Sequence, residues 1–148
     1  MNVNTISLEL DVQMFVRLLT AVVLGALVGY ERERAGKAAG VRTHGMVSLG
    51  AALFAVVSLH GFGNAGDPSR VAAQIVTGIG FLGAGAILHQ RGNVHGLTTA
   101  AGLWVTAAIG LAVGVGMLVM SLASAILVFL LLRFGPRPRP RNVDDEAE

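Results

Sequence analysis

Residues 74–89, QIVTGIGFLGAGAILH, decide the fold through the setting of their glycines. Gly78, Gly80 and Gly83 supply the letters of a dinucleotide-binding fingerprint. That fingerprint needs a strand entering a glycine turn, and an acidic residue about twenty positions later to hold a ribose. Here the glycines lie inside an apolar run from Val71 to Leu88, and no acidic residue follows until Asp144. Glycine repeated through a long apolar segment is the pattern of a closely packed membrane helix. The stretch is read as part of a membrane protein.

Composition agrees with that reading. Apolar residues make up 53% of the 148-residue chain and charged residues only 14%, with 20 glycines; soluble domains carry about a quarter charged residues. The absence of cysteine excludes a disulfide scaffold and any Cys-ligated zinc or iron–sulfur centre. The basic residues gather between and after the apolar runs and form no groove or recognition helix, so nucleic acid is not an expected partner. The start, MNVNTISLELDVQ, has no basic n-region, and the first apolar run ends in YERERAGK, so the start is expected to stay on the protein.

Working outward, apolar segments fall at about 11–30, 43–60, 70–89, 97–115 and 116–133. Each is near the ~20 residues that cross ~30 Å of hydrocarbon. They are continuously apolar instead of alternating, which selects helices over barrel strands. The expected fold is therefore an all-α bundle of five transmembrane helices. A short segment, 1–10, precedes it, and an extended Pro/Arg tail, 134–148, follows. Gly114 and Gly116 favour a tight hairpin between the last two segments. Five crossings bring Arg32, Arg34, Lys37, Arg42, Arg91 and the tail arginines to one side, whereas four would split them. The positive-inside rule then places the N-terminus outside and the C-terminus in the cytoplasm.

Helical phase sorts the segments into faces. Gly25 and Gly29, four apart, suit backbone contact. In the second segment His44, Ser48, Ala51, Ala52, Ala55 and Ser58 share a small, weakly polar side. In the third, Gln74, Gly78, Phe81 and Gly85 line one side and Gly80 and Gly83 the other, an arrangement that predicts a central helix. Thr98, Thr99, Gly102, Thr106 and Gly110 form a stripe on the fourth, opposite Trp104. Packing is the simpler reading of these stripes; the sharper one has Gln74, Thr77, Thr98, Thr99 and Thr106 lining a narrow path. Threonine hydroxyls can instead bond their own helix.

Arg17 lies inside the first span, and a charge there is functional, paired or snorkelling. Asp11 and Asp67 are the nearest acids by topology. At the other end of this span Glu31 and Arg34 are spaced to bond along one turn. Glu31, Glu33 and His44 could alternatively form one side of a Mg²⁺ site, since carboxylates suit hard cations. The neighbouring Arg32, Arg34 and Arg42 make a poor cation trap, so any Mg²⁺ contact is expected to be transient, with no resident cofactor. No nucleophile–base–orienter set is present, and an enzyme is not expected.

The blocks GYERERAGKAAGVRTH, Gln74–Ile87 and HGLTTAAGLW, in this order, resemble the MgtC/SapB family of bacterial inner-membrane proteins, over about residues 18–133. The matching positions are Glu31, Arg34, Arg42, Thr43, His44, Gln74, Gly78, Gly80, Gly83, Gly85, Gly96, Thr98, Thr99 and Trp104. The resemblance implies an inner-membrane location, a link to growth in low magnesium and, in some pathogens, to survival inside macrophages. It also implies regulatory contacts, including the membrane ATP synthase in some members. Longer members add a soluble cytoplasmic domain. The expected function is thus non-enzymatic magnesium or envelope homeostasis through contact with a membrane protein partner or a second copy. The alternative is a small transporter or channel for a cation or small solute.

Overall fold

The computed structural model describes residues 3–62, 67–90 and 93–136. Helix α1 spans Val3–Arg34, α2 Val41–His60 and α3 Pro68–Gly85; a hairpin of β1 (Leu88–Gln90) and β2 (Asn93–His95) leads into α4 (Leu97–Gly114) and α5 (Leu118–Phe134). Among the described residues the protein is a bundle of these five helices with one two-stranded ribbon. Leu8–Arg34, Val41–His60 and Leu97–Gly114 are long and apolar enough to cross a membrane. The 17-residue α5 is apolar but shorter. In the 18-residue α3, Arg70, Gln74 and four glycines dilute the apolar character. The tail from residue 137 and the loop residues 63–66 lie outside the described residues.

Three boundaries differ from the sequence reading. Residues 3–10 belong to α1, and the expected 31–42 loop begins only after Arg34, because Glu and Arg are good helix formers. Gly36 ends the helix with φ of 69°: its amide bonds Glu33 O, and Lys37 N bonds Arg32 O, the paired closure of a Schellman motif. The third segment stops at Gly85, not His89, and the chain extends into β1, where Leu88 pairs with His95 and Gln90 with Asn93. A short apolar run ahead of a turn fits either helix or strand, so Ile87–His89 carried no signal of its own. The connecting residues 91 and 92 are outside the described residues.

Gly116 makes the α4–α5 turn. Its φ is 90°, its amide bonds Val113 O, and Met117 N bonds Ala112 O. Gly114 serves differently, letting α4 approach α2: a Cβ there would stand 2.6 Å from Ala52 O.

Close approaches also fix the directions of the helices. Gly25 faces His44 and Ser48, and Gly29 faces Gly40 and Val41, so α1 and α2 run oppositely. Gly102 meets His44 and Gly110 meets Ser48, so α2 and α4 run the same way. Helix α3 opposes α4: Gly83 lies by Ala100, while Ile75 and Leu111 border one small apolar recess. The last turns of α1 and α5 lie together, with Tyr30 and Arg34 beside Phe129 and Arg133.

The core has two parts. Ala21, Leu24 and Val28 of α1 pack with Ala52, Ile109, Val113 and Ala125. Ala51, Ile79, Leu103 and Ala107 form the second, where α2, α3 and α4 meet. Contrary to expectation, α3 is peripheral and buries only Ile79 and Gly83. A Cβ added at Gly78, Gly80 or Gly85 would meet nothing, so those glycines are not packed against this chain. The centre belongs to α2 and α4, with α1 against both.

Candidate functional site

The polar groups of the bundle gather in two places. The first is a buried seam between α2 and α4, walled by α1. His44, fully buried, points Nδ1 at the carbonyl of Gly40 at 3.1 Å, the same oxygen that accepts its own amide. That bond makes Nδ1 the donor and leaves Nε2 an acceptor; Nε2 is buried without a partner. Gly102 gives the ring its room, since a Cβ there would lie 3.4 Å from Nε2. Ser48, one turn along, is also fully buried, and its Oγ has no partner. Gly25 permits this depth, because a Cβ there would be 2.6 Å from both His44 O and the Ser48 Cβ. Thr106 is fully buried, but its hydroxyl donates to Gly102 O at 2.8 Å within its own helix. Thr99 is buried and Thr98 exposed, while Thr43 is half-buried and Arg42 exposed.

The Gln/Thr path expected from the sequence is not assembled. Gln74 and Thr77 are exposed on α3, away from the seam, and the Thr77 hydroxyl donates to Ala73 O at 3.0 Å. Trp104 lies on the α3 side of α4, where it borders the apolar recess with Ile75, Val76 and Ile79. Recess and seam are therefore on different sides of α4.

The second place is where α1 ends. Glu31 and Arg32 are both buried, with Arg32 Nη1 3.8 Å from Glu31 Oε2, the ion pair formed among the described residues. The expected Glu31–Arg34 pair is replaced by this one. Arg32 continues the Gly25–Gly29 face by one turn, toward α2. Extending that phase past the apolar run would have found it. Glu31 instead borders a recess of about 90 Å³ between α1 and α5, with Tyr30, Arg34, Ala35, Phe129 and Arg133. Glu33 turns elsewhere, accepting from the Val41 amide at 3.0 Å and so capping the start of α2. Glu31, Glu33 and His44 thus do not form one cation site, and no group of three His, Asp or Glu suited to a metal occurs among the described residues.

Arg17 also has a partner other than those expected. Its Nη1 donates to Gly114 O at 3.1 Å, at the last turn of α4, where unpaired carbonyls and the helix dipole favour a cation. A Cβ at Gly116 would come 3.2 Å from the guanidinium. Asp67 is engaged as the N-cap of α3, accepting from Ser69 N at 2.9 Å ahead of Pro68 in the first turn. Asp-Pro before an apolar run was a legible start signal.

Apolar helices joined by short turns and packed through glycine define a multi-pass helical membrane protein. The chain belongs to the MgtC family, whose model matches residues 18–138. It is 45% identical to YhiD of Escherichia coli (strain K12) over 127 residues, covering 81% of this chain and 59% of that protein. To the MgtC protein of Salmonella paratyphi A it is 46% identical over 135 residues, covering 88% and 58%. For MgtC of Brucella abortus the values are 48% over 114 residues, 77% and 47%. The chain spans about half the length of the curated relatives it matches. No solved structure matches it.

Proposed function

We propose that the protein is a non-enzymatic component of magnesium or envelope homeostasis that acts by contact between α3 and a helix of another membrane protein. The observation that carries this reading is the outward side of α3. Gly78 and Gly85 have open space where a Cβ would stand, and Gln74 and Phe81 share that side, Phe81 being 83% exposed. Glycines that admit no neighbour from their own chain leave a backbone open to close approach, which is how helices associate in lipid. Gln74 would supply a hydrogen bond across such a contact.

The five-crossing layout, N-terminus outside, belongs to the same proposal. Alternating helix directions support it, as does the collection of Arg32, Arg34, Lys37, Arg42 and Arg133 on one side. Cysteine cross-linking from α3 in native membranes tests the contact. With Gly78→Leu the chain is expected to fold and insert as before but to lose its cross-linked partner and its support of growth in low magnesium. A subunit of the membrane ATP synthase and a second copy of this chain are the two partners to score. Unchanged cross-linking and growth in the Gly78→Leu, Gly85→Leu double variant would overturn the proposal.

A further inference from the structure

The recess between the ends of α1 and α5 has the chemistry of a receptor for a zwitterion. Its inner residue is Glu31, 7% exposed; the Oε2 of that side chain is turned to Arg32 Nη1 at 3.8 Å, beyond hydrogen-bond reach, and Arg32 does not line the recess. Its rim is basic and polar: Arg34 and Arg133 are exposed, and Tyr30 is 52% exposed. The Arg133 guanidinium lies over the Phe134 ring, 5.9 Å from its centroid. An acid inside and two guanidiniums outside match a ligand with an ammonium at one end and a phosphate a few bonds away. A buried carboxylate bordering a recess favours a donor rich in protons, and a primary ammonium has three. Arginine supplies the fork geometry suited to phosphate oxygens. The volume, about 90 Å³, equals the liquid share of about three waters, enough for an aminoethyl group but not for the phosphate, which would stay at the rim.

The recess opens onto an apolar track. Phe129, Ile126 and Leu122 continue the Arg133 side of α5, with Ile126 45% and Leu122 50% exposed; Val23 and Leu19 continue the Arg34–Tyr30 side of α1, 58% and 54% exposed. A ligand whose phosphate sits between Arg34 and Arg133 can lay hydrocarbon along these residues. We infer that this recess binds the headgroup of an ethanolamine phospholipid, the ammonium at Glu31 and the phosphodiester at Arg34 and Arg133. The inference rests on the reading that α1 and α5 end at one membrane face.

The test uses the full chain in nanodiscs of phosphatidylcholine doped with phosphatidylethanolamine or phosphatidylglycerol, with retained lipids counted by native mass spectrometry. Phosphatidylethanolamine is expected to be retained about tenfold over either competitor, the effect of one charge-assisted hydrogen bond. Glu31→Gln, an isosteric change, should abolish preference for the primary over the quaternary ammonium. Arg34→Gln with Arg133→Gln, both at exposed positions, should lower retention of all three lipids. Equal retention of the primary and quaternary headgroups by the wild-type chain would overturn the assignment. So would complete displacement of lipid by soluble phosphoethanolamine, which would make the free compound the ligand. Carbonate washing of native membranes separates the two failures: release of the chain sinks the membrane reading along with this one, whereas a retained chain without headgroup preference sinks only this one.

Discussion

The Glu33 carboxylate reaches across the α1–α2 connection to accept a hydrogen bond from the Val41 amide at 3.0 Å. It thereby satisfies one of the four amides that a helix start leaves without an intrahelical partner. Glu33→Ala should lower the stability of the purified protein by about 1 kcal/mol, as other lost caps do. Glu33→Gln, which keeps an acceptor oxygen, should lose less. Thermal unfolding in detergent, with and without Mg²⁺, checks both. A Mg²⁺-dependent stabilisation of the wild type that vanishes in Glu33→Ala would contradict the capping role.

Arg17, midway along α1, makes a second long-range contact, with Gly114. Arg17→Met keeps the length and apolar stem but removes the donor, stranding a carbonyl at the end of α4. A loss of about 1–3 kcal/mol is expected for a hydrogen bond from a charged donor, with Arg17→Lys recovering part of it. Because the contact joins α1 to the α4–α5 turn, hydrogen exchange should rise first at Val115–Leu118. Exchange unchanged there would show that the guanidinium reaches water instead.

Two glycine substitutions of equal chemistry should have opposite effects. At Gly110 a Cβ would run into the Ser48 carbonyl, backbone that can give way only by moving a helix. Gly110→Ala is therefore expected to destabilise by about 1–3 kcal/mol, the range for overpacked cores. At Gly80 a Cβ meets open space, and Gly80→Ala should be neutral or stabilising by up to about 1 kcal/mol through helix propensity. Unfolding midpoints in one detergent rank the pair.

The cap at Asp67 makes the start of α3 sensitive to acid. Hydrogen bonds from the Ser69 side chain and amide hold its carboxyl below the ordinary value of 3.8. A depressed pKa means the folded state favours the carboxylate. The contribution is complete above the unfolded value and disappears as pH falls through the lower folded one. Protection of the first α3 amides should decline in that acid window in the wild type. In Asp67→Asn, which caps without titrating, it should stay level relative to intrinsic exchange.

Much of this was readable from local pattern. Continuous apolar runs gave the helices because only a spanning or fully buried helix needs them at that length. The phase of Gly25, Gly29, Gly102 and Gly110 placed them on one side each, where the structure brings α1, α2 and α4 together. The outward side of α3 was not readable, since a glycine that meets a neighbour and one that meets nothing look alike in sequence. Nor was the partner of Arg17, a carbonyl 97 positions away, because carbonyls are anonymous in sequence whereas Asp11 and Asp67 are visible. The hairpin at 88–95 escaped for another reason: three-residue strands are shorter than any period that could announce them.

The distance along the chain between Arg17 and Gly114 has a consequence for biogenesis. With 97 positions between them, a ribosome adding about 5–20 residues each second needs roughly 5–20 s to deliver the acceptor after the donor has emerged. For that interval the Arg17 guanidinium lacks its α4 acceptor and is left to water and headgroups. The contact that holds it in the finished fold forms only after the fourth helix has been made. A nascent chain truncated before Gly114 would therefore remain unfinished from its very first helix, and exposed to quality-control proteolysis.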